Sequence, residues 1–420
     1  MRFEFFDRFC PSGRKDMTRE IELKFTGTIE ALDMLRRSKL FKMYNDGRVK
    51  TKQLKSVYFD TPDSGLAQRG VSLRIRKDGT KLTQTIKSMN GKSAPRWDRA
   101  EQDAPVSGLR PDPELVADSH VRKTLSEWQE RDELHARFET DFRRTAMPLR
   151  AGSARIEAAF DVGEVKALGA RAGVNAKVAE LELELKDGPA QELFDLARQV
   201  ARSTTLRFAI ETKADRGYAL TLGTPDKPVR AKPLELEPDM PSGDAFAMIL
   251  AEGLRQIIAN ENAILRARDA EGVHQMRVAI RRLRSAISAF GGAYDHGEIA
   301  RIKGELAWLA KTLGLARDWD VFLERSVKPV QIAFPGDAGL DELTAATRNA
   351  RRAAWESVLE ALEGERYRVL MVDIAAAVSG AAWIDPAREA AADAAGKTSP
   401  YGRDIAKTAL VRRGVPYRNV

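Results

Sequence analysis

Between residues 19 and 220 the chain is written in short runs that alternate apolar and charged positions. A period of two assigns each set to one face of a β-strand. In 20–25, Glu20, Glu22 and Lys24 share one face, and Ile21, Leu23 and Phe25 share the other. In 71–77, Ser72, Arg74 and Arg76 oppose Val71, Leu73 and Ile75; in 81–87, Lys81, Thr83, Thr85 and Lys87 oppose Leu82, Gln84 and Ile86. The run 180–186 alternates without a break, with Glu180, Glu182, Glu184 and Lys186 against Leu181, Leu183 and Leu185, and a shorter echo puts Glu157 with Asp161. Turn signals such as Pro62-Asp63-Ser64-Gly65 and Lys77-Asp78-Gly79 separate these runs. After residue 222 the pattern gives way to a segment holding Pro225, Pro228, Pro233, Pro238 and Pro241, a semi-rigid linker by composition. From Asp244 onward the apolar positions recur with the helical period, as in 245–265 and 301–316, and predict a bundle. The expected division is an N-terminal extension at 1–17, a β-rich domain at 18–222, a linker at 223–243 and a helical domain at 244–420.

A strand with one charged face can turn that face to water. Alternatively, about eight such strands can close into a barrel, which removes exposed sheet edges and turns the charged faces inward. Helical stretches at 29–40, 113–134 and 191–204 could then cover the apolar outside. The repeated Glu-x-Glu-x-Lys and Arg-x-Arg patterns favour the second arrangement. The predicted fold is therefore α+β, a closed antiparallel eight-stranded barrel with covering helices, followed by an all-α bundle. A lumen of interleaved carboxylates and cations is stable only when hydrated and filled by counter-charges. Arginine and lysine match phosphate oxygens, while clustered carboxylates hold hard divalent cations. Together they describe a metal–polyphosphate site.

Composition narrows the rest. The 69 Lys and Arg against 61 Asp and Glu leave a formal charge of +8, and 43% of residues are hydrophobic, as in an ordinary folded chain. Cys10 is the lone cysteine, which excludes a disulfide scaffold and a cysteine zinc site and points to a reducing, cytoplasmic setting. No apolar run approaches the ~20 residues a bilayer requires, and 1–17 does not read as a signal peptide, so no membrane partner is expected. The four histidines (120, 135, 274, 296) lack metal-ligand spacing, and there is neither a dinucleotide glycine loop nor a nucleophile elbow.

The tract Glu20-Ile21-Glu22-Leu23-Lys24 resembles the Glu-x-Glu-x-Lys signature of the CYTH superfamily, the triphosphate tunnel metalloenzymes. The resemblance extends over 18–222 through the blocks 56–63 (SVYFDTPD), 69–79 (RGVSLRIRKDG), 85–87 (TIK), 179–188 (AELELELKDG) and 212–218 (TKADRGY). It implies that Glu20 and Glu22 bind metal and position water. Lys24, Arg74, Arg76, Lys87, Arg144, Lys186, Lys213 and Arg216 would contact phosphate, and Glu182 and Glu184 would be late-strand metal ligands. Glu101, Glu157 and Asp161 fill the remaining acidic positions, with Asp161 counted among the metal ligands. Arg143 stands beside Arg144, and a one-residue slip would exchange their faces. The resemblance implies Mg²⁺ or Mn²⁺ as cofactor and hydrolysis of inorganic triphosphate. Adenylate cyclase, nucleotide triphosphatase and thiamine triphosphatase activity are alternatives within the family, and a non-catalytic polyphosphate-binding protein is another.

In 273–284 (VHQMRVAIRRLR), His274, Arg277, Arg281 and Arg284 lie along one helical stripe, while Val273, Met276, Ile280, Leu283 and Ile287 form the apolar face. No acid between 272 and 290 is available to pair with the stripe, so either a neighbouring helix or an anionic partner must balance it. With 306–324 (LAWLAKTLGLARDWDVFLE), it resembles the CHAD domain, a helical module associated with inorganic polyphosphate. That resemblance implies His274, Arg277, Arg281, Arg284, Lys311 and Arg317 as polyphosphate contacts. Asp318 and Asp320 would either orient the arginines or bind metal. The second histidine–arginine helix common in such domains has no counterpart after His296. A domain shortened in this way would leave an apolar face able to pair two copies in a homodimer. Triphosphate or polyphosphate is the expected partner. A nucleic acid is the weaker alternative for the arginine stripe, since steep salt dependence would be common to both.

Overall fold

The computed structural model describes residues 21–89, 99–223, 226–231, 233–290 and 297–379. Glu20, the extension at 1–17 and His296 lie outside the described residues. The chain begins with β1 (Ile21–Thr26), α1 (Ile29–Arg36), α2 (Lys39–Tyr44), β2 (Lys50–Asp60), α3 (Gly65–Gln68) and the hairpin strands β3 (Val71–Asp78) and β4 (Lys81–Met89). It continues through β5 (Arg99–Pro105), α4 (Ser119–Glu130), the long strands β6 (His135–Ala151), β7 (Ala154–Ala167) and β8 (Asn175–Asp187), then α5 (Ala190–Ser203), β9 (Arg207–Ala209) and α6 (Lys213–Leu222). The helical half comprises α7 (Ser242–Ala259), α8 (Glu261–Leu265), α9 (Ala270–Phe290), α10 (Gly297–Phe322), a π-helical turn at Leu323–Val327, α11 (Lys328–Ala333), α12 (Ala338–Glu363) and α13 (Glu365–Val378).

The strands form one antiparallel sheet in the order β5-β4-β3-β2-β6-β7-β8-β1-β9. This corrects the expected closed eight-stranded barrel: among the described residues the sheet has nine strands, and its two edges, β5 and β9, are not hydrogen-bonded to each other. The last strand, β9, is three residues long and among the described residues pairs only with β1 before the chain leaves at Ile210 to build α6, so it offers few backbone groups for pairing with a further strand.

The period-two reading of the faces holds along these strands. Leu23, Phe25, Leu181 and Leu183 are buried on the convex side with α1, α2 and α5. Leu73, Ile75 and Ile86 pack with Leu125 of α4. On the concave side α6 lies across β6 and β7, where Ala214 and Tyr218 meet Phe138, Val165 and Val178. A Cβ at Gly217 would fall 2.2 Å from the Phe138 ring, so only glycine lets the helix sit this close. A reciprocal capping box between Thr212 and Asp215 fixes where α6 starts, and therefore where Lys213 stands.

One continuous apolar core runs from Leu23 of β1 through α5 to Val378 of α13, so both halves of the chain share it. Polar ties reinforce the junction. Asp373 of α13 is fully buried and accepts from Arg198 of α5 at 2.8 Å and from Arg301 of α10 at 2.7 Å. Glu261 of α8 accepts from Tyr367 of α13 at 2.6 Å and from Arg207 of β9 at 3.3 Å. Among the described residues no helix is long and apolar enough to cross a membrane.

Candidate functional site

The inward faces of the strands surround a cavity of about 290 Å³. Its lining draws Glu22 and Lys24 from β1, Tyr58 from β2, Ser72, Arg74 and Arg76 from β3, Lys87 from β4, and Glu101 and Asp103 from β5. Arg144 of β6, Glu157 of β7, Glu182 and Glu184 of β8, and Lys213 at the start of α6 complete the charged wall. Residues that lie far apart in sequence therefore share one cavity, although the sheet around it is open at its edges.

The two walls differ in chemistry. On one, β1, β8 and β7 align Glu22 opposite Glu184 and Glu184 opposite Glu157. Like charges placed directly opposite repel, so this carboxylate row favours cations. One residue pair deeper, Glu182 gathers Lys24 at 3.3 Å, Lys213 at 2.8 Å and Arg144. Burial alone would raise the Glu182 pKa, but Lys213, Arg144 and Lys24 outweigh it and hold the carboxyl well below its usual range. Burial would likewise lower the Lys213 pKa, yet Asp161, Glu180 and Glu182 within 2.8 Å raise it, keeping the ammonium charged. For Lys24, too, burial is overcome, chiefly by Glu182 and Glu22, and the net shift is upward.

The opposite wall carries the arginines. Arg74 bonds Glu101 at 3.3 Å and the Tyr58 phenol at 3.4 Å, while Lys87 pairs with Glu101 at 2.5 Å. Arg76 differs from them. Its one hydrogen bond runs from Nε to Ser56 Oγ at 3.4 Å, and among the described residues no carboxylate pairs with it. Burial and the neighbouring Arg74 push its pKa down to about 10. A half-buried guanidinium with no carboxylate bonded to it keeps most of its donors open to an anion.

Several expected residues stand outside the lining. Asp161 is fully buried behind it, taking a two-pronged bond from Arg144 at 2.8 and 2.6 Å. Arg216, one turn into α6, pairs with Glu180 at 3.0 Å, and Lys186 is exposed and pairs with Glu184. The Arg143/Arg144 choice resolves through register: Arg144 lies opposite Asp161 and faces the cavity, and Arg143 is exposed. Ser72, read with Arg74 and Arg76 on one face, lines the cavity as well, and Tyr58 and Asp103 line it without having been singled out in sequence. Their parity was available, but uncharged or isolated residues do not mark a face. The block 56–63 has a structural role as well. Its Asp60 accepts from the Leu66 and Ala67 amides of α3 and from Tyr218 Oη at 2.8 Å, clamping the end of β2 to α6.

In the helical half, His274, Arg277, Arg281 and Arg284 of α9 and Arg317 of α10 line a second cavity of about 270 Å³. The apolar face of α9 (Val273, Met276, Ile280, Leu283, Ile287) is buried in the core. Arg277 Nη1 is buried without a hydrogen-bond partner and lies 2.6 Å from where a Cβ on Gly314 would stand. Lys311 is exposed and lines neither this cavity nor the next. That next cavity, about 670 Å³, shares Arg317 and adds Arg325, Lys328, Arg348, Arg351 and Arg352. These cations from the π-helical turn, α11 and α12 escaped the sequence reading because their helices carry no compact motif. Asp320 is buried and takes Arg351 at 2.6 Å and Trp355 Nε1 at 3.2 Å, an arginine-orienting geometry, whereas Asp318 is exposed.

Known proteins match both halves. Residues 18–218 match the family model of the CYTH domain and residues 248–414 that of the CHAD domain. An inorganic triphosphatase of Haemophilus influenzae is 33% identical over 177 residues, which is 40% of this chain and 46% of that protein. The chain thus matches about half the length of that relative. An uncharacterised protein of Mycobacterium tuberculosis is 28% identical over 397 residues, covering 88% of this chain and 72% of its own. The crystal structure of the CHAD domain from the plant Ricinus communis is 36% identical over 37% of this chain and 52% of that one, with a TM-score of 0.33.

Proposed function

This chain is a CYTH domain followed by a CHAD domain, and from that premise we propose that the first half hydrolyses inorganic triphosphate and the second binds polyphosphate. The observation that carries the reading is Arg76, a half-buried cation with no carboxylate bonded to it among the described residues, lining a cavity whose facing wall is a row of carboxylates. Arg74, Arg76 and Lys87 would hold the phosphate oxygens of the substrate, with Lys24 and Lys213 countering charge deeper in. Glu22 would orient the attacking water toward the terminal phosphorus, with diphosphate as leaving group. The relative named as an inorganic triphosphatase supports this choice of substrate.

A divalent cation fits these residues. Among the described residues no three acidic, histidine or cysteine side chains converge closely enough to hold a metal by themselves. Mg²⁺ characteristically takes only one or two carboxylates and completes its shell with water and substrate phosphates. Glu22 and Glu184, directly opposite across β1 and β8, are the pair that would hold Mg²⁺ or Mn²⁺, with Glu157 beside them. Asp161 and Glu182, engaged by Arg144 and Lys213, would act behind them. When bound, the ion would neutralise phosphate charge and polarise the bond being broken.

In the helical half, the stripe from His274 to Arg284 with Arg317 would take a phosphate chain, and the adjoining cavity would extend it past Arg317. The test is phosphate release from triphosphate, ATP and thiamine triphosphate with Mg²⁺ or Mn²⁺. Release is expected to be fastest from triphosphate, and Glu22→Ala is expected to abolish it while circular dichroism stays unchanged. Binding of triphosphate without release would make the cavity a capture site, and cyclic AMP from ATP would make it a cyclase.

A further inference from the structure

Tyr58 sits where the cavity meets the core. Its ring is stacked on Phe138 at 4.5 Å between centroids and packs against Ala214 and Tyr218 of α6. Its phenolic oxygen reaches the cavity, where it accepts from Arg74 Nη1 at 3.4 Å. A phenol can both accept and donate. Among the described residues Tyr58 Oη has no acceptor for its own proton. Of the cavity's carboxylates on this side, Glu101 takes Lys87 and Arg74 and Asp103 Oδ1 takes Thr85 at 2.6 Å, and neither bonds to Tyr58 Oη. Only 4% of the residue is exposed, so bulk water is a poor substitute.

We propose that Tyr58 is a substrate-contacting residue, whose hydroxyl donates a hydrogen bond to a phosphate oxygen held between Arg74 and Arg76. This rests on the triphosphate reading of the cavity and adds to it a neutral, directional donor among cations. A guanidinium offers charge to any oxygen in reach, whereas a ring fixed by stacking offers one proton along one line. The charged groups facing the phenol are Arg74 and Arg76 of β3 and Lys213 of α6, and Tyr218 of α6 and Phe138 of β6 complete its surroundings. Burial raises the phenol's pKa, but the three cations outweigh it and draw it below the usual tyrosine value. As pH rises through that value the donor is lost and the phenolate repels the phosphate chain.

The experiment compares wild type with Tyr58→Phe, which removes the hydroxyl and keeps the stacked ring. Calorimetry with inorganic triphosphate alone, from pH 7 to pH 10, is paired with turnover in Mg²⁺ or Mn²⁺. The variant is expected to keep its melting temperature and to bind and turn over triphosphate about ten- to a hundredfold less well at pH 7, the range for a hydrogen bond to a charged partner. Its alkaline decline is expected to move to higher pH, because the titrating hydroxyl is gone. A variant matching wild type in affinity, kcat/KM and pH profile overturns the proposal while leaving the triphosphate reading standing. A wild-type protein that neither binds nor cleaves triphosphate overturns both.

Discussion

Lys213 and Arg76 show how two cations lining one cavity can have opposite purposes. Lys213 stands within 2.8 Å of Asp161, Glu180 and Glu182, so it neutralises charge that the fold itself has buried. Lys213→Ala strands those carboxylates and is expected to destabilise the protein by about 3–5 kcal/mol in urea unfolding, as for other broken buried pairs. Arg76 is bonded to no carboxylate among the described residues and is pressed by Arg74, with Glu101 offsetting only part of that repulsion. Arg76→Ala is expected to leave the unfolding midpoint unchanged or higher and to weaken triphosphate binding by about tenfold or more in calorimetry. Loss of stability in the arginine variant, or none in the lysine variant, would reverse these assignments.

At the scale of elements, β9 and α6 shape the cavity more than their length implies. β9 contributes Phe208 and Ala209 to the lining, and Ile210 follows directly. This edge strand is pinned from behind by Arg207, whose partner Glu261 lies in the helical half. Burial raises the Glu261 pKa to about 7 against the opposing pull of Arg207 and the Tyr367 hydroxyl. Because the folded value lies above the unfolded one, the protonated form favours folding. The contribution is full below pH 4.5 and is lost as pH rises toward 7. Over that window the loss from this carboxyl is on the order of 3 kcal/mol. Glu261→Gln is expected to flatten this part of the stability–pH curve, which thermal unfolding between pH 4.5 and 7.5 measures directly; an unchanged slope would remove Glu261 as its source.

Across the whole molecule, the shared core makes the helical half a structural partner of the charged cavity. Asp373 is the polar centre of that junction, joining Arg198 of the β-rich half to Arg301 of the helical half. Asp373→Ala removes the acceptor the two arginines share, while Arg198 keeps Asp195 and Glu298 and Arg301 reaches solvent, so stability is expected to fall by about 1–3 kcal/mol. Trypsin should then cut sooner after Arg230 in the proline-rich segment between α6 and α7, since Lys227 precedes a proline. Cleavage at the wild-type rate would show that the apolar core alone holds the halves together.

Periodicity alone identified which residues share a face: Leu23, Phe25, Leu73 and Ile75 on one side, Glu22, Lys24, Arg74 and Arg76 on the other. That works because a strand's two-residue repeat and a helix's 3.6-residue repeat are local properties of the backbone. The same local logic found the α9 stripe. Whether the sheet closes, which acids are consumed by Arg144 and Lys213, and whether Lys186 and Arg216 reach the cavity are not local questions. They depend on register between strands over 150 residues apart, on where β9 breaks off, and on the depth to which Gly217 lets α6 descend. A sequence specifies charges and their order, but only packing determines which charges meet each other and which, like Arg76 and the Tyr58 hydroxyl, are left facing the cavity.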